Sequence, residues 1–431
     1  MKGADRIQSR RAGAAALALY LFVIPFSKAA VEIFFPILLL LWVLGWHRWP
    51  FSGEGLRQIP PVHRKGFFLV VLYTTVCAAS VIFSSHLKLS LSGFIGKTLE
   101  YSMLFLIAAD LVDQPQASRR ALRALLAAGV LVVLYGLLQE WALYTIGHGS
   151  ETLDPIRGKK LDFARMVGPY ENPNDLATFL MVTGLISAAW LTERMRAGRT
   201  LLLRLALTLL LAGCLLWTQS RGALLGFFFG LCFLGAVARG RKAIHWGIAA
   251  AIVSITALFL RFSRRQLFDM LTFSDSGSRE RAEMWTTAWR MILDRPIRGH
   301  GINTFMANYS RYAPNSAQNP AYAHNCFLQI TAETGLLGLA AFLLFLAGVG
   351  YFAWQALGVP EQELSPEDQP ARILLVGLAA AFLAFLVQSF LDTNLYALRQ
   401  AVLFWTLAGM TLGISARLLR ARGAPSSNAS C

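Results

Sequence analysis

The sequence predicts an all-α integral membrane protein with about 12 transmembrane helices. The chain has 431 residues, of which 55% are hydrophobic and only 15% are charged, whereas soluble domains of this size carry more charge. Its apolar runs are about as long as a helix that crosses a ~30 Å hydrocarbon core. They lack the alternation of polar residues that a transmembrane barrel requires.

The apolar runs place twelve spans, and this even number puts both termini on the same side of the membrane. The spans cover about residues 12–28, 29–46, 67–84, 91–109, 121–146, 173–192, 202–218, 222–238, 243–261, 331–357, 371–391 and 399–416. With the N-terminus in the cytoplasm, lysine and arginine are concentrated in the inner connections and nearly absent from the short outer ones, as the positive-inside rule requires.

This pattern divides the chain into four regions. Residues 1–261 hold transmembrane helices 1–9, and residues 262–330 form a large outer loop between spans nine and ten. Residues 331–418 hold helices 10–12, and residues 419–431 form a cytoplasmic tail.

The outer loop contains an amphipathic helix in "SRERAEMWTTAWRMILDRPI". Ser278 is a suitable N-cap and Pro296 ends the helix. Apolar residues recur at helical spacing: Met284, Trp285, Ala288, Trp289 and Ile292. Arg281 lies one turn before Trp285 on this face, so we expect its side chain to point at protein or lipid headgroups.

The net charge of +16 is distributed unusually. In a membrane protein, an excess of basic residues follows from the topology and from attraction to anionic lipid. We therefore expect no nucleic-acid partner. However, residues 147–172 carry four basic residues and residues 261–330 carry nine arginines, all on the outer side. Either an anionic ligand or anionic lipid headgroups account for them.

Arg221 ends the short connection "TQSR" between spans seven and eight, which places it at the outer boundary of the membrane. It is either an arginine that snorkels to the interface or a guanidinium that holds phosphate oxygens in a partly dry site. Gly222 next to it permits a close backbone approach.

His324 immediately precedes Asn325, a good N-cap, at the outer start of span ten. A histidine at a helix N-terminus stays neutral and can then take a proton from a hydroxyl group. A surface or capping role is the alternative. In "ENPND", Asn172, Asn174 and Asp175 form a polar helix start that caps span six or binds a sugar.

Other charged residues near the outer face allow more than one interpretation. Lys28 with Glu32 and Lys97 with Glu100 are spaced as ion pairs within a helix. Glu333 and Asp392 either pair with the arginines or orient His324. The sequence contains no P-loop, DxD, HExxH, GxSxG or Rossmann pattern, so we expect neither a metal nor a cofactor. We expect instead a donor substrate that is anionic and already activated.

Four segments, in this order, resemble the bacterial O-antigen ligase/polymerase superfamily. They are "ENPND", "TQSRGA", "SRERAEMWTTAWRMILDRPIRGHG" and "AHNCFLQITAETGLLGL". The family's arginine four residues before a tryptophan falls on Arg281. Its histidine–asparagine pair falls on His324 and Asn325, before Glu333 and Gly335.

The resemblance implies a GT-C-like fold, a periplasmic outer loop and a location in the bacterial inner membrane. It implies a metal-independent inverting glycosyltransferase that moves polysaccharide from undecaprenyl diphosphate onto lipid A–core, in contact with membrane lipids. An O-antigen polymerase and a protein O-oligosaccharyltransferase share these motifs and remain alternatives. A transporter or flippase of anionic lipid-linked glycans is an alternative of another class.

The resemblance and the charge pattern together assign residue roles. Arg221, Arg281 and His324 are the expected catalytic residues. The expected substrate- and diphosphate-binding residues are Arg221, Arg279, Arg281, Arg265, Arg165, Asn174 and Asn325.

Overall fold

In the structure, a computed structural model, the regular secondary structure of the described residues is entirely helical. The structure describes residues 3–45, 60–146, 165–191, 199–237, 276–313 and 322–423. The helices are α1 (Gly3–Val23), α2 (Lys28–Gly45), α3 (Pro61–Ile82), α4 (Leu87–Gly93), α5 (Glu100–Leu111), α6 (Pro115–Ile146), α7 (Pro173–Leu191), α8 (Arg199–Trp217), α9 (Arg221–Val237), α10 (Ser276–Asp294), α11 (Phe305–Tyr312), α12 (Cys326–Leu357), α13 (Gln369–Ser389) and α14 (Leu398–Gly423). A π-helical turn, Phe94–Leu99, joins α4 to α5.

Within these described ranges, nine helical segments are long and apolar enough to cross a membrane. They are α2, α3, the continuous Leu87–Leu111 segment, α6, α7, α8, α12, α13 and α14. The chain is therefore a multi-pass, all-α membrane protein, as predicted. The count of twelve is not established, because α1 and the 17-residue α9 fall short of the criterion and span 243–261 lies outside the described residues.

The bundle has two distinct ends. The Arg221 end contains the C-termini of α1, α3, α8 and α13 and the N-termini of α2, α4, α7, α9, α12 and α14. The Arg417 end contains the opposite termini of these helices, except that α4 continues through the π-helical turn and α5 before it reaches this end at Leu111. Ion pairs fasten the Arg417 end: Arg417 to Asp368 at 2.6 Å, Arg10 to Asp110 at 3.1 Å, and Arg420 to Asp113.

Helix α14 is buried along most of its length, because the other helices surround it. Gly409 and Gly413 face the backbone of α5 at Phe105 and Ala109, where a larger side chain would collide with carbonyl oxygens. Small residues spaced in this way allow two membrane helices to approach closely.

Helix α12 is interrupted at Gly335, which has φ 73° and ψ −177°. The turn after α10 fills this interruption: His300 N donates to Ala332 O at 3.0 Å, Gly301 N to Glu333 O at 2.8 Å, and Leu336 N to Pro296 O at 2.7 Å. The helix begins at Cys326, earlier than the expected 331, because the polar segment before the break is itself helical. Likewise α10 begins at Ser276, so Ser278 lies inside the helix and is not its N-cap.

Candidate functional site

Arg165 joins the segment before α7 to the turn between α8 and α9. Its Nε donates to Thr218 O at 2.7 Å, and its Nη2 donates to Asn174 Oδ1 at 2.8 Å. The structure therefore brings together two residues that sequence analysis selected separately. Asn172, rather than Asn174, caps this helix start, since its Oδ1 accepts from Asn174 N at 2.8 Å.

Arg221 is the first residue of α9 and is half-buried. The turn before it is tight, with Gln219 in the left-handed region at φ 55°. Gly222 packs against the C-terminus of α13, where a methyl group at this position would lie 3.4 Å from both Gln388 Cγ and Leu391 Cβ. Arg221 thus lies beside the loop that joins α13 to α14.

His324 contacts the same loop. Its Nδ1 lies 3.5 Å from Asp392 Oδ1, close enough for an ion pair but long for a hydrogen bond, and its side chain is 32% exposed. His324 has φ 46°, a conformation that is costly for a non-glycine residue and that recurs at functional sites. Of the two carboxylates that sequence analysis left open, Asp392 is therefore the one beside His324.

The residue pair after His324 secures its position. Asn325 is the predicted N-cap, and its Oδ1 accepts from Phe327 N at 3.0 Å and from Leu328 N at 3.1 Å. Cys326 Sγ donates to Asp392 O at 3.2 Å. The side chain of Asn325 is thus used for capping, and the cysteine holds the 388–394 loop against the start of α12.

Glu333 has a different role from Asp392. Its carboxylate accepts from Asn303 N at 2.9 Å, from Phe305 N at 3.1 Å and from Tyr396 Oη at 3.2 Å. The contact ties the start of α11 to α12. A carboxylate that caps a neighbouring helix carries no sequence signal, because the two residues are far apart in the chain.

The arginines of the predicted outer loop are not in contact with Arg221 or His324 in the described residues. Arg281 is half-buried and Arg279 is exposed, both in the first turns of α10. No contact in the described part of the chain links either of them to Arg221 or His324. Met284, one turn after Arg281, packs in a cluster that includes Ala323, the residue before His324. Arg265 lies outside the described residues.

Sequence analysis missed Arg399, a buried cation at the start of α14. Its Nη1 donates to Pro25 O at 2.8 Å and to Pro169 O at 3.0 Å, and its guanidinium lies 4.1 Å from the centroid of the Tyr170 ring. Burial raises the pKa of Tyr170, so this ring stays neutral beside the guanidinium. The only signal in the sequence that could have indicated Arg399 was the presence of an arginine within the first turn of an apolar span.

The ion pairs expected within helices are not the ones that form. Lys28 Nζ pairs with Glu171 at 3.0 Å rather than with Glu32, and Lys97 Nζ donates to Asn303 Oδ1 at 2.9 Å rather than to Glu100. The prediction was wrong because a neighbouring element offers a closer partner. Among the described residues, no three His, Cys, Asp or Glu side chains converge to hold a metal ion.

Comparison with known proteins gives a family match over part of the chain. Residues 206–343, from α8 to the middle of α12, match the family model described as O-antigen ligase. This range contains Arg221, Arg279, Arg281, Arg265, His324 and Asn325, whereas Arg165, Asn174 and Asp392 lie outside it.

Three curated relatives extend the similarity. The chain is 24% identical over 266 residues to the teichuronic acid biosynthesis protein TuaE of Bacillus subtilis, an alignment that covers 59% of this chain and 52% of that protein. It is 22% identical over 333 residues to the O-antigen ligase of Salmonella typhimurium, which covers 74% and 77%. It is 21% identical over 417 residues to the exopolysaccharide production protein ExoQ of Rhizobium meliloti, which covers 93% and 88%.

The fold is that of a multi-pass, all-α membrane protein, and the chain is similar to proteins of the polysaccharide ligase class. More particularly, the segment at residues 206–343 is similar to the O-antigen ligase family.

Proposed function

We propose that the chain is an O-antigen ligase. It transfers O-antigen polysaccharide from undecaprenyl diphosphate to a sugar hydroxyl of lipid A–core, with inversion and without a metal, at the periplasmic face of the inner membrane. One observation carries this proposal: Gly222, next to Arg221, and His324 contact the same stretch of chain, residues 388–392, and Arg165 binds Thr218 in the turn that leads to Arg221.

Arginines bind the donor in this mechanism. Arg221 and Arg165 hold the diphosphate at headgroup depth, and Asn174 keeps Arg165 in place. Arg281 and Arg279, in the first turns of α10, and Arg265 are assigned to the donor from the sequence motif and the charge of the predicted outer loop. The guanidinium charge stabilises the diphosphate as the bond from the anomeric carbon to its oxygen breaks and the electron pair moves to that oxygen.

His324 activates the acceptor. Asp392 lies at Nδ1, so the carboxylate orients the ring and stabilises the imidazolium, and Nε2 takes the proton of the acceptor hydroxyl. The hydroxyl oxygen forms the new bond to the anomeric carbon on the face opposite the departing diphosphate. Asn325 contributes by fixing the helix start that holds His324.

The proposal is tested with purified protein in lipid, supplied with both substrates and with neither ATP nor metal. We expect His324→Ala and Arg221→Ala to abolish glycan transfer. His86→Ala, an exposed histidine at the same end, and Arg420→Ala, at the Arg417 end, are matched controls that should retain it. Full transfer by both site variants would remove this assignment.

Deletion of the gene separates the ligase from a polymerase of the same superfamily. Loss of a ligase leaves bare lipid A–core and polymer stranded on the lipid carrier. Loss of a polymerase leaves core that carries a single repeat unit, and loss of a protein O-oligosaccharyltransferase leaves lipopolysaccharide unchanged.

A transporter of anionic lipid-linked glycans is the alternative of another class. Transporters usually bind substrate near the midplane between broken helices, whereas the charged cluster here lies at one end of the bundle. A transporter would move labelled glycan across reconstituted vesicles without forming a glycosidic bond.

A further inference from the structure

An exposed apolar surface lies where α10 meets α12 and the end of α3. On α10 and the turn that follows it, Trp289, Leu293 and Ile297 recur about one helical turn apart and are 55%, 64% and 63% exposed. The neighbouring ends of the two spans add four more exposed apolar residues: Ile82, Phe83, Leu336 and Leu337. We call these seven residues the apolar band. Large contiguous apolar surfaces mark sites of interaction with protein or membrane.

Close contacts connect the members of the apolar band. Leu336 N donates to the carbonyl oxygen of the residue before Ile297 at 2.7 Å, which places these two side chains on neighbouring backbone. On the side of α3, Arg295 Nη1 donates to Phe83 O at 3.4 Å, and the guanidinium of Arg298 lies 5.3 Å from the centroid of the Phe83 ring. The band is therefore one surface that passes from α10 across the turn to both spans.

Protein already covers a different face of α10. Ala288, Met291 and Ile292 are buried in a cluster with residues of α11 and α12. At 3.6 residues per turn, Trp289 and Leu293 project from the face next to this buried one. Helix α10 therefore keeps an exposed apolar face after its packing against the rest of the protein is complete.

The apolar band begins on two helices that face lipid. Both α3 and α12 are long and apolar enough to cross a membrane, and side chains on their middle turns are exposed, such as Phe68 at 63% and Leu344 at 50%. Ile82 is the last residue of α3, and Leu336 begins the part of α12 that follows the break at Gly335. The band thus starts where two spans leave the hydrocarbon, so the acyl chains of the adjoining leaflet can cover it.

Arginines border the apolar band and indicate the charge of its partner. Arg298 is exposed, and within the described residues its guanidinium lies over the ring of Phe83 and forms no hydrogen bond or ion pair. Arg290 donates to a carbonyl oxygen, and Arg295 lies 3.8 Å from the carboxylate of Asp294. The N–H donors of Arg298 are thus available to a phosphate. An arginine stem can lie along apolar surface while its head reaches a lipid headgroup.

We propose that α10 lies in the plane of the membrane interface at the Arg221 end. The apolar band inserts among the acyl chains of that leaflet, and Arg298 binds the phosphate of an anionic phospholipid. A helix with tryptophan and leucine on one face and arginine beside them has the composition of an interfacial helix. The insertion fixes the depth of α10, and with it that of Arg281, relative to the headgroups. This placement does not rest on the proposed glycan transfer.

Fluorescence quenching in proteoliposomes tests the insertion. In a background with Cys232→Ser and Cys431→Ser, a bimane label is attached at Leu293→Cys, in the band, or at Glu280→Cys. Glu280 is a matched control, because it is exposed on the same helix and projects from the opposite flank. We expect phosphatidylcholine with a doxyl group near the start of its acyl chain to quench the label at position 293 strongly and the label at position 280 barely.

The same assay tests the phosphate contact. Doxyl-labelled phosphatidylglycerol should quench the label at position 293 at about one fifth of the mole fraction that the phosphatidylcholine needs, as expected for one basic residue at an anionic surface. Arg298→Gln should remove this preference. Arg311→Gln, which replaces an exposed arginine on α11 outside the band, should retain it.

The other outcomes overturn one part or the other. Equal quenching of the two labels, or none at position 293, overturns the insertion. Quenching at position 293 that requires a second copy of the chain, rather than doxyl lipid, assigns the band to a protein–protein interface instead. Equal quenching by the two lipids, or a preference that survives Arg298→Gln, overturns the phosphate contact. Because the assay contains no glycan, failure of the proposed ligase function would leave these results unchanged.

Discussion

At the scale of single residues, the neighbour of His324 decides what this side chain can do. A histidine alone at a helix start has a capping or surface role as often as a catalytic one. The carboxylate of Asp392, 3.5 Å from Nδ1, and the left-handed backbone of His324 distinguish it from such a residue.

Asp392→Asn should lower kcat by about 10²-fold, because it removes the charge that stabilises an imidazolium. The donor KM should change little, since the arginines remain. Asp113→Asn, which removes a carboxylate partner of Arg420 at the Arg417 end, is the control and should leave kcat unchanged. Rates measured across pH in reconstituted protein check this, and an unaltered kcat for Asp392→Asn would contradict the role.

Sequence analysis selected candidate residues but could not choose their partners. It named Arg165, Asn174 and His324, and it left Glu333 and Asp392 interchangeable. Only packing separates these carboxylates, because one caps α11 and the other faces His324. The pairs Lys28–Glu32 and Lys97–Glu100 were wrong for the same reason, since helical spacing says nothing about neighbouring elements.

At the scale of elements, the interruption of α12 joins the outer loop to the membrane bundle. The turn Pro296–Gly301 supplies hydrogen-bond partners to backbone groups around Gly335. This contact anchors α10, which carries Arg281, to α12, whose N-terminus directly follows His324 and Asn325.

Gly335→Ala should destabilise the fold by about 2 kcal/mol, because its backbone region is accessible almost only to glycine. A Cβ atom would also collide with Ile297 O. Gly350→Ala, later in the same helix and with open space around it, should be neutral or slightly stabilising. Thermal unfolding in detergent measures both, and equal melting temperatures would refute the requirement for glycine.

The anchor of α10 should also weaken on acidification. Burial lowers the pKa of His300, and its Nε2 lies 3.0 Å from Met291 O. Since the folded protein disfavours the protonated ring, stability is full above the usual histidine pKa near 6.5 and falls progressively as the pH drops below it. Arg295 and Arg311 lower this pKa further, and burial outweighs the opposite effects of the Met291 hydrogen bond and of Asp294.

His300→Gln removes this titration. Melting temperatures at pH 7.5 and pH 5.5 should therefore differ less in the variant than in the wild type. Asp294 does not interfere in this window, because a hydrogen bond from Tyr312 lowers its pKa below the usual aspartate range. An identical pH dependence in both proteins would show that another group titrates.

At the scale of the whole molecule, charge is distributed between two ends. Arginines at the Arg417 end pair with Asp110, Asp113 and Asp368. At the Arg221 end, Arg165 and Arg399 bind backbone oxygens, and the candidate site lies among them. The arginines at the Arg417 end join helices through ion pairs. The arginines at the Arg221 end have the residue types of an anion-binding site.

The orientation of the two ends follows from the positive-inside rule and is directly testable. In a background that carries Cys232→Ser, because Cys232 is only partly buried, and Cys431→Ser, His86→Cys should react with a membrane-impermeant maleimide in spheroplasts, and Arg120→Cys should react only after lysis. Both replaced side chains are exposed, and Cys77, Cys214 and Cys326 are buried. Labelling in the reverse order would place the candidate site in the cytoplasm.

The sequence by itself determined the class of protein, because the length and apolarity of each span do not depend on neighbouring helices. It also located the motifs at one end of the bundle, since alternate connections must lie on the same side. Only the tertiary structure decided that Asp392 lies beside His324, that Glu333 caps α11 and that Tyr101 lines a cavity. Those relations join residues far apart in the chain, and they depend on helix rotation, on the break at Gly335 and on the π-turn, none of which apolar periodicity encodes.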